Sequence, residues 1–189
     1  MTSVDFEHLT AAEARTHRTE VEDIYRGAYV DAIRAGAPFT DPVAFMQRFD
    51  AYTAPNRPGE FEQIIVSISG RPVGQVWGWS LSKETAWWNG LQLDEPQVHD
   101  DFTVEDGTRT FALSELMVKK DMTGRGLART LHNSLLRSRP EQRATLLVRP
   151  DNTRAYQTYL RWGWYRVGRL RPGWPDAPQF DVLIHDLRQ

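Results

Sequence analysis

The chain predicts an α/β (α+β) fold, a mixed central sheet with helices on both faces. Three observations carry that prediction. Segments of strand character and of helical period alternate from end to end. Thr108 to Val148 reads strand, helix, strand, the pattern of a right-handed parallel crossover. Phe61 to Ser82 and Tyr165 to Leu187 each read as two strands joined by turn-forming residues, hence antiparallel hairpins.

Taken in order, Val4 to Leu9 alternates and forms a first strand. Thr10 and Glu13 have capping-box spacing, and a helix is expected from Ala11 to Ile33. Val21, Ile24, Tyr25, Ala28, Tyr29 and Ala32 share one face of it. Gly36 and Pro38 end it. Asp41-Pro42 reads as the cap and first residue of a second helix, with Phe45, Met46 and Phe49 on its buried side. Phe61 to Ser69 and Val73 to Ser82 flank the Gly70-Arg71 turn. A strand follows from Thr108 to Lys119, then a helix from Arg125 to Ser138. Arg143 to Val148 is a strand and Asn152 to Trp162 a helix. Tyr165 to Leu170 and Gln179 to Leu187 close the sheet. At 189 residues the chain suits one domain with a real core, and no linker divides it.

Bulk chemistry narrows the function. The net charge is −2 and the isoelectric point near 6.2, which gives no electrostatic case for nucleic acid. Cysteine is absent, so disulfides, thiolate metal sites and a cysteine nucleophile are excluded. The five histidines show no metal spacing, so no metal is expected. The first residues are polar, and no stretch could span a bilayer as an apolar helix. These missing signals make a cytoplasmic protein with no membrane partner the expectation.

The most informative stretch is Leu116-Met117-Val118 followed by Thr123 through Thr130. A strand runs into a short loop with two glycines, Gly124 and Gly126, and a helix begins at once. Unpaired N–H groups and the positive end of a helix dipole then surround one small space suited to a phosphate or diphosphate. The glycines let backbone approach the anion without a Cβ in the way. An ordinary strand-to-helix turn would look the same. No Gly-Lys-Ser/Thr makes it a Walker loop, and the third glycine of a dinucleotide fingerprint is missing. A second segment sharpens the signal, for Asn152, Ala155, Tyr159, Gly163 and Trp164 recur behind another strand.

With both segments in view, the chain resembles the GNAT superfamily of acyl-CoA-dependent N-acyltransferases, and the element order agrees along nearly its whole length. The resemblance implies a mostly antiparallel central sheet and acetyl-CoA as cosubstrate. It implies a coenzyme site at Leu116, Met117, Val118, Thr123, Gly124, Arg125, Gly126, Leu127, Ala128, Arg129, Asn152, Ala155 and Tyr159. Gly126 and Ala128 match the family loop, while Thr123 stands where Arg or Gln is usual; Arg125 or Arg129 would supply the missing charge. A backbone N–H at Met117 or Val118 would polarise the thioester carbonyl. Asn152 reads equally as a helix cap, and Ala155 as a good helix former.

Two side chains are candidates for the chemistry. Tyr159 sits at the family position that protonates the departing thiolate, although packing on an amphipathic helix is its alternative. Glu115 shares a strand face with Phe111, Leu113 and Met117, where a carboxylate is costly without water, ligand or partner. By resemblance it takes the proton of the attacking ammonium; the alternative is a structural ion pair with an arginine. An alkylammonium of pKa about 10.4 is only about one part in a thousand neutral at pH 7, so a base has work to do.

Lys83 to Asp106 is longer than a hairpin needs and carries Trp87, Trp88, Asp94, Glu95, Asp100, Asp101, Glu105 and Asp106. It reads as an acidic rim for a cationic acceptor or as solvated surface. Trp162, Trp164 and Trp174 read as core or interface aromatics. The expectation is an N-acetyltransferase that moves an acetyl group directly to a primary amine of a cationic small molecule. A protein amino terminus as acceptor, and a non-catalytic acyl-CoA-binding module, stand beside it. A homodimer is compatible with the closing hairpin.

Overall fold

The computed structural model describes residues 3–95 and 99–188. Among the described residues lie eight strands: β1 Val4–Leu9, β2 Phe61–Ile68, β3 Arg71–Ser80, β4 Gln92–Leu93, β5 Thr110–Val118, β6 Arg143–Val148, β7 Tyr165–Leu170 and β8 Phe180–Asp186. Their order in the sheet is β1-β2-β3-β5-β6-β8-β7-β4. The helices are α1 Ala11–Thr16, α2 Arg18–Ala28, α3 Val30–Ala35, α4 Pro42–Tyr52, α5 His99–Thr103, α6 Leu127–Leu136 and α7 Thr153–Arg161. The pairing is mixed and mostly antiparallel, as expected. β5 runs parallel to β6, so the strand, helix, strand reading of Thr108–Val148 holds, and β1–β2, β2–β3, β4–β7, β6–β8 and β7–β8 are antiparallel.

The expected long helix from Ala11 to Ile33 is three short ones. The Thr10–Glu13 capping box forms, with the Thr10 N–H donating to Glu13 Oε2 at 2.8 Å. His17 and Tyr29 then take non-helical dihedrals, near φ −95°, ψ 20° and φ −105°, ψ 23°, and interrupt the run. The apolar period continues through both breaks, so a pattern of faces could not reveal them. Gly36, at φ 76°, ends α3. The Lys83–Asp106 segment is more structured than a loop, since β4 pairs with β7 and α5 follows.

The chain forms two compact units. The first comprises residues up to Trp79 together with Ser114–Ser138. β1, β2 and β3 pair antiparallel there, and Lys119 N–H donates to Val73 O at 2.8 Å where β5 runs beside β3. Its core joins Val21, Ile24 and Tyr25 of α2, Phe45 and Phe49 of α4, and Ile64 and Trp77 of the sheet. The Trp77 ring lies 5.7 Å from Phe45 and 5.4 Å from Phe49. Polar side chains enter this core too. Gln63 Nε2 donates to Gln75 Oε1 at 3.0 Å, and Gln75 Nε2 reaches Val21 O at 3.1 Å and Met117 Sδ at 3.3 Å.

The second unit comprises Ser80–Leu113 and the chain from Arg139 onward. The β5–β6 ladder covers Thr110↔Arg143, Phe111↔Ala144 and Ala112↔Thr145; β6, β8 and β7 continue antiparallel. Its core holds Phe111, Leu113, Leu146, Leu170, Leu183 and Trp164. Buried charge accompanies it. Glu141 accepts from Arg139 at 3.0 Å (Nε) and 2.9 Å (Nη2), and from the Ser80 hydroxyl at 2.6 Å.

Candidate functional site

The loop behind β5 is built by local rules. Lys120–Met122 makes one 3-10 turn, and the Thr123 hydroxyl closes it by donating to Lys120 O at 2.9 Å. Gly124 and Gly126 then adopt φ +80° and +78°. Left-handed dihedrals of this kind strain most other residues, which explains both glycines. A Cβ added at either would meet nothing within 4 Å, so the space over the loop is open. Gly126 is the N-cap of α6 and no side chain caps that helix, so its first N–H groups lack a side-chain acceptor. Thr123, Gly124, Arg125, Gly126 and Arg129 are exposed, Ala128 is half-buried, and Leu127 turns inward. This cradle has the donors and the room for a diphosphate.

The loop is fastened to its surroundings. Lys119, 4% exposed, pairs with Asp23 of α2, and its stem crosses Gly27, where an added Cβ would sit 2.7 Å from Lys119 Cγ. Lys120 pairs with Asp31 of α3 at 2.6 Å and Arg71 of β3 with Asp121 at 3.4 Å. Asp23, Gly27, Arg71, Lys119, Lys120 and Asp121 line a cavity of about 430 Å³ within the first unit.

Upstream on β5, Met117 is buried while Leu116 and Val118 are half-buried. Glu115 is half-buried, and its carboxylate makes no hydrogen bond or ion pair among the described residues. The arginine ion pair considered for it is therefore not what the structure holds. Burial pushes its carboxyl up to about 7, with the Arg48 charge pulling the other way. Tyr25 lies near the same two groups. Burial, then the Glu115 charge, raises its phenol, which donates to Thr40 O at 2.9 Å. The structure thus gathers Glu115 to Val118 and Thr123 to Arg129 in the first unit. Arg48 and Tyr25 are additions: Arg48 falls three positions after Phe45, so helical spacing already puts it on the buried side of α4.

Asn152, Ala155 and Tyr159 belong to the second unit. Asn152 Oδ1 accepts from Ala155 N at 3.3 Å, so Asn152 is the α7 cap. Tyr159 is half-buried, with its ring edge-on to Trp162 at 5.9 Å and Trp164 at 6.0 Å. Tyr156 is committed differently. Its hydroxyl donates to Asp181 Oδ2 at 2.9 Å, and burial, then that bond, push it up to about 12. Trp164 packs inside, stacked on His185 at 5.3 Å.

The acidic segment is largely occupied with holding itself in place. Asp94 pairs with Arg166. Glu105 is buried and its Oε1 accepts from Trp88 Nε1 at 3.0 Å, Thr110 Oγ1 at 2.7 Å and Arg143 Nη2 at 3.3 Å. Asp106 Oδ1 accepts from Thr108 N at 2.7 Å. Asp101 stays exposed, and the Asp100 side chain lies outside the described residues. Among the described residues no helix is long and apolar enough to cross a membrane, and no group of three acidic or histidine side chains could hold a metal.

A sequence model of the acetyltransferase (GNAT) family matches residues 19–164. The chain belongs to the GNAT family. Membership brings acetyl-CoA-dependent N-acetyltransferase chemistry. No curated protein matches. Solved structures agree on the fold. An acetyltransferase from Thermus thermophilus is 14% identical, with 97% of each chain covered and a TM-score of 0.61. Aminoglycoside 6'-acetyltransferase type Ii is 12% identical, with 98% of each chain covered and a TM-score of 0.61. Arabidopsis thaliana NAA60 in complex with acetyl-CoA is 14% identical, covering 97% of this GNAT chain and 98% of its own, with a TM-score of 0.62.

Proposed function

We propose that this GNAT protein transfers an acetyl group from acetyl-CoA directly to the primary amine of a small molecule that is cationic at nitrogen. The observation that carries the reading is Glu115, an unpartnered carboxyl with its proton held to about pH 7, on the strand that leads into the glycine loop. The N–H groups of Gly124 to Ala128 receive the diphosphate, and Arg125 and Arg129 add charge that Thr123 lacks. Asn152 and Ala155 line the pantetheine arm. Leu116 to Val118 line the coenzyme, and a backbone N–H of Met117 or Val118 polarises the thioester carbonyl. Glu115 takes the proton the acceptor ammonium must lose, the free amine forms its bond to the carbonyl carbon, and Tyr159 protonates the thiolate as the C–S bond breaks.

Glu115 gives the first test. Its carboxylate form is the active one, so kcat/KM rises with pH and levels above about 7. Glu115→Gln is expected to lower kcat/KM about 100-fold at pH 8 and to remove that bend. The sign for stability is the opposite. The folded state holds the extra proton between the ordinary carboxylate range and about 7, so wild-type stability falls as pH rises through that window. A pH–rate profile unaltered by Glu115→Gln would remove it as the base.

Gly126 gives the second. Gly126→Ala places a Cβ in the open space over the amides at φ +78°. The expected outcome is about 1 kcal/mol lost in denaturant unfolding and CoA binding weakened about tenfold in calorimetry, about 1.4 kcal/mol. Unchanged CoA affinity would take the loop out of the coenzyme site.

A further inference from the structure

In the first unit, Arg48 is 6% exposed, yet no carboxylate pairs with it among the described residues. Its Nη2 donates to Phe39 O at 3.0 Å, and its guanidinium lies 4.0 Å over the Phe39 ring. The remaining donors, Nε and Nη1, make no hydrogen bond among the described residues. Phe45 is also near, its ring 6.0 Å from the guanidinium and 3.7 Å from the Tyr25 ring, stacked at 7°. Tyr25 is close enough to Arg48 and Glu115 to feel both charges.

A buried guanidinium without a counter-ion is costly, and a backbone carbonyl needs only one neutral N–H. The charge and the fork of donors therefore exceed what the Phe39 contact requires. Glu115 shares its strand face with Met117, whose sulfur Gln75 Nε2 meets at 3.3 Å while also reaching Val21 O of α2, so Glu115 is on the side of the sheet that α2, Phe45 and Arg48 cover, and no hydrogen bond or ion pair joins it to Arg48. A ligand with both a cationic nitrogen and an anionic oxygen completes each.

Resting on the acetyl-transfer reading above, we infer that the acceptor is a free amino acid, its ammonium at Glu115 and its carboxylate on the unpartnered donors of Arg48. A planar guanidinium matches a carboxylate by two parallel hydrogen bonds, which an amine without that group cannot use.

Calorimetry on the full chain with bound CoA tests this with matched probes: L-phenylalanine, L-leucine and L-lysine against phenethylamine, isoamylamine and cadaverine, and L-phenylalaninamide as a neutral control. At least one amino acid is expected to bind tenfold or more tighter than its decarboxylated partner and its amide. Arg48→Met should bring that ratio to about one, and Arg48→Lys should keep part of it. Equal binding of amine and amino acid, no binding of any amino acid, or a ratio that survives Arg48→Met overturns the inference. Should Arg48→Met fail to fold, the wild-type ratio and Arg48→Lys decide. Thiol release from acetyl-CoA is read separately. Amino-acid binding without release defeats the transfer reading and leaves the recognition intact, whereas release with plain amines does the reverse.

Discussion

Tyr159→Phe is expected to lower kcat about 1,000-fold while leaving the circular-dichroism spectrum and CoA affinity unchanged. The substitution keeps the half-buried ring that stands edge-on to Trp162 and Trp164 and deletes only its oxygen. In the proposed mechanism the lost function is a proton donor to a thiolate whose reference pKa is about 8.5. A positioned acid of this kind contributes on the order of 100- to 10,000-fold. The loss should shrink with thioesters whose thiols are more acidic, because those depart without help. Turnover equal to wild type would return Tyr159 to a packing role. Tyr156→Phe is the control. It removes the bond to Asp181 and should cost stability of about 1 kcal/mol, with little effect on kcat.

Glu141→Gln is expected to destabilise the protein by about 3–5 kcal/mol, roughly 10 °C in Tm, measured by thermal and urea unfolding. Glu141 is 1% exposed, and the Arg139 guanidinium, stacked 4.3 Å over Phe111, donates to both its oxygens. The amide keeps the Ser80 contact but removes the negative charge that faces a buried cation. Burial alone would raise the Glu141 carboxyl; the Arg139 and Ser80 hydrogen bonds outweigh it and hold the group below its ordinary value. Its stabilisation is therefore present above the unfolded carboxylate range and is lost as pH falls through the depressed folded value. The double variant Glu141→Leu, Arg139→Met removes both charges and should recover much of the loss. A loss under about 1 kcal/mol for Glu141→Gln would mean that water already reaches the pair.

What was legible in the sequence follows from what is local. Gly124 and Gly126 announce their dihedrals by being glycine, Asn152 and Thr10 announce caps, and β-branched runs announce strands. These signals act over a few residues and survive folding. Glu115 is conspicuous because a carboxylate interrupts an apolar strand face. Spacing from Phe45 puts Arg48 on the buried side of α4, but that it faces the same side of the sheet as Glu115 could not be read, since α4 meets the sheet only in the folded chain. The acidic segment shows the same limit. Asp94 finds Arg166 72 positions along the chain, and Glu105 finds Arg143 38 positions along. Counting charges along the chain cannot tell an acid that faces solvent from one that is already neutralised. The breaks at His17 and Tyr29 were hidden for a related reason, because three short helices keep the apolar period of one long one.

The three fastenings of the β5–α6 loop have an energetic corollary. Lys119, Lys120 and Asp121 are bound to Asp23, Asp31 and Arg71 before any ligand arrives. Conformational entropy for that stretch has already been surrendered during folding. In the proposed coenzyme site the stretch that leads into the Gly124–Gly126 amides is thus already held, so loosening these bridges should weaken coenzyme binding by adding back that ordering cost. Raised ionic strength will slacken the two solvent-facing bridges and spare the one under Gly27.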